Sequence, residues 1–363
     1  MFDINKLVRE NVKKLMPYSS ARDEFKGEAS VYLDANENSL GSPLMRWYNR
    51  YPDPLQWKVK EKLSAIKGVE PTGMFIGNGS DECIDLLYRA FCEPRTDNVI
   101  ICPPTYGMYE VSANINDVEV RKAPLLDDYQ LNLAHVEQLA DAHTKIIWIC
   151  SPNNPTANVM HKQDVETALN NFDGLVVVDE AYINFAAQQS FTSMLADYPN
   201  LVVLQTFSKA WGLAGLRVGM MFASEEMIQV INKIKPPYNV GQHTQELILE
   251  ALDRTDEINE MIRLIVDMRD ALAEVLLQMP IVQTVYPSDA NFLLVKILEP
   301  RRVYHYLLDK GIVVRDRSNV TLCEGCLRIT IGTEAENTQL VDALISYMDE
   351  LEAELATQNE TEQ

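Results

Sequence analysis

Short apolar runs alternate with longer amphipathic stretches through the middle of the chain. Met74-Phe75-Ile76, Val99-Ile100-Ile101-Cys102, Lys145-Ile146-Ile147-Trp148-Ile149-Cys150, Leu175-Val176-Val177-Val178 and Leu201-Val202-Val203-Leu204 are each bounded by polar or turn residues. Runs apolar at nearly every position bury both faces, as strands of a mostly parallel sheet do. Helical periodicity fills the intervals, as over residues 81–91. The pattern predicts an α/β core built from crossover units.

From about residue 257 the texture changes. A long helical pattern covers 258–279, followed by Asn291-Phe292-Leu293-Leu294-Val295, a helix near 302–309, Ile312-Val313-Val314, Leu327-Arg328-Ile329-Thr330-Ile331 and a closing helix over 334–355. Fewer, more widely spaced strands beside helices predict a smaller α+β unit. The chain then divides into an N-terminal arm (1–40), a large unit (41–265), a small unit (266–357) and a tail (358–363). The polar residues from 354 onward are expected to fray. There are no internal repeats and no low-complexity linker.

Composition is ordinary for a globular protein of 363 residues, with 47% hydrophobic and 23% charged residues. Charge changes the picture more. Fifty-three acidic residues against 32 basic ones give a formal net charge of −21. Such a chain is repelled by phosphate backbones and anionic membranes, which argues against nucleic-acid and membrane partners. Any anionic ligand must be held by a few well-placed cations. Met1-Phe2-Asp3-Ile4-Asn5 lacks the layout of a signal peptide, and no apolar run approaches the roughly 20 residues that span a bilayer. A cytoplasmic protein is expected. Four of the six cysteines sit in or beside apolar stretches, and Cys323-Glu324-Gly325-Cys326 is a lone CxxC without a second pair or clustered histidines. Its reading is structural rather than redox or metal-binding, and no metal site is expected.

Candidate chemistry clusters at four strand ends, where open α/β sheets bind ligands. Gly77-Asn78-Gly79-Ser80-Asp81-Glu82 offers a glycine turn and a helix N-terminus to an anion, although a plain strand–helix turn reads the same way. Ser151-Pro152-Asn153-Asn154-Pro155-Thr156 presents two side-chain amides on a loop stiffened by prolines, again a common loop composition. Asp179-Glu180-Ala181-Tyr182 ends a buried strand with a carboxylate that needs donors or a cation, or that serves as a helix N-cap. In the segment from Thr206-Phe207-Ser208-Lys209 to Arg217-Val218-Gly219, apolar neighbours place Lys209 inside rather than in solvent. Burial favours the neutral amine, which can attack a carbonyl.

In this order the four segments resemble fold-type I pyridoxal-phosphate aminotransferases. Pro17-Tyr18-Ser19-Ser20-Ala21-Arg22, Asp34-Ala35-Asn36-Glu37-Asn38 and Arg50-Tyr51-Pro52-Asp53-Pro54 narrow the resemblance to the histidinol-phosphate aminotransferase family. Pro104-Thr105-Tyr106-Gly107-Met108-Tyr109 and Cys326-Leu327-Arg328-Ile329-Thr330 extend it towards the C-terminus. The resemblance implies a seven-stranded, mostly parallel sheet, pyridoxal 5'-phosphate as cofactor and a homodimer. It implies Lys209 as the Schiff-base lysine and proton carrier, and Asp179 as partner of the pyridinium nitrogen. Tyr182 and Asn154 then meet the phenolic oxygen and Tyr106 stacks on the ring. The phosphate is met by the backbone of Gly79, Ser80, Asp81 and Glu82, with Thr206, Ser208 and Arg217, and with Tyr51 of a neighbouring subunit. Substrate is met by Arg328 and Arg315, with Tyr18 and Asn36 lining its pocket.

One position departs from the family pattern. Ala157 stands where glycine is usual, and a positive φ there would strain it. The implied reaction moves an amino group between histidinol phosphate and 2-oxoglutarate, small molecules both. An aminotransferase for aromatic or branched-chain amino acids and a pyridoxal-phosphate lyase acting on a phosphorylated amino acid use overlapping residues, because the cofactor carries the chemistry. A cofactor-binding regulator would need a DNA-binding module, for which so acidic a chain has no room.

Overall fold

The computed structural model describes residues 2–18 and 29–361. Seven strands form the main sheet: β1 (Met74–Gly77), β2 (Asn98–Ile101), β3 (Glu119–Lys122), β4 (Thr144–Cys150), β5 (Leu175–Asp179), β6 (Leu201–Thr206) and β7 (Gly219–Phe222). Their spatial order is β1-β7-β6-β5-β4-β2-β3. Only β7 runs against the rest, pairing antiparallel with both β1 and β6. The apolar runs form buried strands, because their side chains are needed on both faces. In β5, Val176 and Val178 enter one core cluster while Leu175 and Val177 enter the other, on the opposite face. Each of these fully buried side chains contributes about 1.5–3 kcal/mol.

Three strands escaped the sequence reading. β3 is a solvent-facing edge with no apolar run, β7 is four residues that follow the lysine segment directly, and β8 (Val282–Val285) is only partly buried. With β9 (Phe292–Ile297), β10 (Arg315–Asp316) and β11 (Cys326–Thr330), β8 completes a second, antiparallel sheet in the order β10-β11-β9-β8. The run 312–314 is loop, and pairing begins only at Arg315. Helix Thr255–Leu277 joins the two sheets: Ile258 and Ile262 pack against the core of the large sheet, Leu272 and Leu276 in that of the small one.

The expected fraying from residue 354 is not what the structure has, since helix Glu334–Thr361 continues through that segment. Its start is fixed by a capping box in which Thr333 Oγ1 accepts from the Glu336 N–H and the Glu336 carboxylate accepts from the Thr333 N–H. Part of the arm also has a place. Ile4, Val8 and Val12 are buried in the core cluster beneath helix Gly79–Phe91, and the Arg9 N–H donates to the Ala90 carbonyl at 3.0 Å.

Candidate active site

The carboxyl ends of β1, β4, β5 and β6 open onto one cleft of about 100 Å3. Its walls include Ser80, Asp81, Tyr106, Asn154, Asp179, Tyr182, Thr206, Ser208, Lys209 and Arg217. Ten residues singled out from sequence thus meet in one place.

Close backbone packing sets the helix end of the cleft. Gly79 has φ +74°, and a Cβ there would lie 2.8 Å from Arg217 Nη2. A Cβ on Gly219, at the start of β7, would lie 2.2 Å from both the Gly79 carbonyl carbon and the Ser80 nitrogen. Two glycines therefore let β7 seat the start of helix Gly79–Phe91 beside Arg217, and the free N–H groups of that helix face the same space as the guanidinium. Arg217 Nη2 sits 3.5 Å from Asp81 Oδ2, and Thr206 Oγ1 is 3.0 Å from Ser208 Oγ. This end suits an anion with several oxygens.

The opposite end is a buried acid. Asp179 closes β5 and is 2% exposed, yet among the described residues no cation pairs with it. Its Oδ2 accepts from the Tyr109 hydroxyl at 2.7 Å and its Oδ1 from the Ala181 N–H at 3.1 Å, so it forms a local turn rather than the N-cap of a helix. Burial raises its pKa to about 6, against the pull of those two donors. An ionised carboxylate at this depth favours a cationic or N–H-bearing ligand.

Lys209 lies between the two ends, on the turn that follows β6. Its neighbours Ala210 and Trp211 are buried, but Lys209 itself lines the cleft and is exposed to it rather than enclosed as the sequence suggested. The protein around it still lowers the pKa of the amine, through desolvation first and Arg328 second, with Asp179 opposing. Its Nζ stands 5.5 Å from the centroid of the Tyr182 ring. Asn154 Nδ2 donates to the Tyr182 hydroxyl at 3.4 Å, and Asn154 Oδ1 accepts from Arg328 Nη1. Through this last contact β11 of the small sheet reaches the loop after β4. The Arg328 guanidinium lies over the Phe292 ring, 5.3 Å from its centroid, and burial lowers its pKa.

The remaining candidates lie elsewhere. The Glu82 carboxylate is turned back on its own loop, accepting from the Asn78 N–H and, at 3.2 Å, from Asn239 Nδ2, so it does not line the cleft. Arg315 is exposed and stands opposite Arg328 in the β10–β11 register. Asn36 and Tyr51 border a separate recess with Tyr48 and His243, and the Tyr51 ring stacks on Tyr238 at 4.4 Å. Two sequence signatures meet there, since the Glu37 carboxylate accepts from the Tyr51 N–H at 2.7 Å and from Arg50 Nη1 at 2.6 Å. Tyr18 is 74% exposed, and residues 19–22 of its motif fall outside the described residues.

Sequence reading missed Tyr109, whose fully buried ring stacks on Trp148 at 4.9 Å while its hydroxyl meets Asp179. The segment Pro104 to Tyr109 that carries the resemblance includes it without a role, and the further signal was the general need of a buried tyrosine for a hydrogen-bond partner. Ala157 does adopt the left-handed conformation, with φ +70° and no exposure. All six cysteines are buried free thiols, including Cys323 and Cys326. Among the described residues no cluster could hold a metal, and no helix is long and apolar enough to cross a membrane.

Comparison with known proteins agrees with this arrangement. The chain is 54% identical over 346 residues to the histidinol-phosphate aminotransferase of Cytophaga hutchinsonii, covering 95% of this chain and 99% of that one. It is also 54% identical over 344 residues to that of Parabacteroides distasonis, with the same coverage. The crystal structure of histidinol-phosphate aminotransferase from Sinorhizobium meliloti in complex with pyridoxal-5'-phosphate shares the fold, with a TM-score of 0.76 at 24% identity over 83% of each chain. The model of the family described as aminotransferase class I and II matches residues 33–344. The chain is a member of the class I and II aminotransferase family.

Proposed function

We propose that this protein is a histidinol-phosphate aminotransferase that uses pyridoxal 5'-phosphate. It moves an amino group reversibly between L-histidinol phosphate and 2-oxoglutarate, giving imidazole-acetol phosphate and L-glutamate, in L-histidine biosynthesis. The observation that carries the chemistry is one cleft with a pKa-lowered amine, Lys209, between a buried carboxylate with no ion-pair partner among the described residues and an anion cradle at a helix N-terminus. Full-length identity to relatives named for that reaction supports the substrates. We infer a cytoplasmic homodimer, with residues 41–265 as the cofactor-binding unit and 266–357 as the smaller one.

The donor set fits the cofactor at both ends. Arg217, the Ser80 and Asp81 backbone at the helix start, and the Thr206 and Ser208 hydroxyls would hold its phosphate. Asp179 would hold the proton of its ring nitrogen, Tyr182 and Asn154 would hydrogen-bond its phenolic oxygen, and Tyr106 would pack on its ring. When bound, the cofactor supplies an aldehyde to carry the amino group and a ring to take up the electrons released at the substrate Cα. Lys209 Nζ would anchor the cofactor and then move the Cα proton, a task suited to an amine of lowered pKa. Arg328, with Arg315, would grip the carboxylate of glutamate and the phosphate of histidinol phosphate in turn. Tyr51 would reach the cofactor phosphate of the neighbouring copy, and Tyr18 and Asn36 would line the substrate pocket.

Lys209→Ala should retain cofactor non-covalently, and transamination should fall by at least about a thousandfold because anchor and proton carrier are lost together. Borohydride treatment followed by peptide mass measurement reads the covalent link at position 209. Turnover near that of the unmodified protein would end the proposal. The substrate is tested by mixing the holoenzyme with L-histidinol phosphate, phenylalanine or threonine phosphate and following the cofactor's visible absorbance. Fast reaction with phenylalanine alone would move the assignment to an aromatic substrate, and carbon dioxide release from threonine phosphate would move it to a lyase.

A further inference from the structure

We propose that Tyr109 is a positioning residue for the reaction, holding Asp179 oriented and ionised so that it can partner the cofactor's ring nitrogen; this rests on the proposed role of Asp179. The geometry is specific. The Tyr109 hydroxyl donates to Asp179 Oδ2 at 2.7 Å, while Oδ1 is occupied by the Ala181 N–H at 3.1 Å. The two oxygens are thereby fixed by one donor each, and the carboxyl plane cannot turn without losing both. Tyr109 is itself immobilised: its ring stacks on Trp148 at 4.9 Å, the Tyr106 ring abuts it edge-on at 5.6 Å, and its backbone carbonyl accepts from the Tyr88 hydroxyl at 2.8 Å.

Charge makes the hydroxyl matter. The groups facing Asp179 are Asp81 and Cys83 from helix Gly79–Phe91, Tyr106, Cys150 from β4, Tyr182, and Lys209 from the turn after β6. Only Lys209 among them is a cation, and Asp81 adds a like charge. Desolvation and Asp81 favour the neutral acid, while the Tyr109 hydroxyl leads the opposing influences. A neutral Asp179 would accept no proton-bearing ring nitrogen as an ion-pair partner, so loss of one phenolic oxygen should be felt by the ligand even though Tyr109 does not line the cleft.

Tyr109→Phe keeps the ring and its stack on Trp148 while deleting the donor. In the cofactor-free protein, carbon-13 NMR of the Asp179 carboxyl should show its titration moved to higher pH. Calorimetry should show pyridoxal 5'-phosphate bound about tenfold more weakly near neutral pH, the scale of a lost hydrogen bond to a charged group. In the double variant with Asp179→Asn, removing the hydroxyl should bring no further loss. Unchanged titration and affinity in Tyr109→Phe would overturn the proposal. So would an equal loss in the Asp179→Asn background, which would mean that the hydroxyl acts through something else. Should Tyr109→Phe not fold, Tyr109→His, which keeps a ring and a donor, must recover the fold and the affinity; failure to do so also overturns it. If Asp179→Asn alone binds cofactor normally, the reading of Asp179 falls as well, whereas a defect there beside a normal Tyr109→Phe removes only the role of Tyr109.

Discussion

At the loop after β4 a single methyl group is held in a backbone region that disfavours it. The Ala157 N–H donates to the Asn153 carbonyl at 2.8 Å and its carbonyl accepts from the Asp289 N–H at 2.8 Å, so the peptide units on both sides are tied and φ stays at +70°. For an L-residue this conformation costs about 1–2 kcal/mol. Ala157→Gly relieves that strain but gives up a buried methyl worth about 0.8 kcal/mol and frees the unfolded chain, so its stability should stay within about 1 kcal/mol of the parent. Ala157→Val combines a β-branched side chain with a fully packed site and should lose more than about 2 kcal/mol. Urea unfolding of both variants measures this, and a Val variant as stable as Ala would refute the strain account. At this scale much was legible in the sequence. Lys209, Asp179, Asn154, Tyr182 and Arg217 announced themselves by polar chemistry at the ends of apolar runs, and all five border the cleft. Tyr109 did not, because its partner lies 70 residues away and only packing brings them together.

At the scale of elements, what periodicity can see was found and what it cannot see was missed. β4, β5 and β6 were plain because both of their faces are covered. The direction of β7 was not, since a four-residue apolar run carries no sign of parallel or antiparallel pairing. A buried acid fastens the segment after β5 to the sheet. Glu180 Oε1 accepts from the Phe191 N–H at 2.7 Å, and Oε2 accepts from Gln205 Nε2 of β6 at 2.8 Å and from the Ser190 hydroxyl at 2.5 Å. Despite these donors, burial raises its pKa from 4.5 to about 7. The folded state therefore binds this proton more readily than the unfolded chain does. The stability it contributes is complete below about pH 4.5 and is lost as pH rises through about 7, by an amount on the order of 3 kcal/mol at most. Glu180→Gln should flatten the fall in melting temperature of the cofactor-free protein between pH 5 and 8. Identical slopes in the two proteins would show that Glu180 does not titrate in that window.

For the whole molecule, the chain alone leaves an apolar surface that a single copy does not cover. Met45 is fully exposed, Leu40 is 94% exposed, Leu33 85% and Trp47 74%, all within the stretch that precedes Tyr51. Several large apolar side chains exposed within one short stretch of chain mark a protein interface better than they mark solvent-facing surface. The sequence identified this region by its motifs but gave it no shape, and a second copy is the cover proposed for it. If the second copy sits here, Met45→Asp with Trp47→Asp should yield a monomer by sedimentation equilibrium. Activity should fall more than about tenfold, because Tyr51 would no longer reach the neighbouring cleft. Electrostatics adds an independent sign. Two copies carrying −21 each repel at long range, so if the protein is the proposed dimer it should tighten as ionic strength rises to the point where the Debye length is about 8 Å. A dimer that loosens with added salt would place cross-subunit ion pairs, rather than this apolar stretch, at the interface. Retention of the dimer in the double aspartate variant would exclude the stretch altogether.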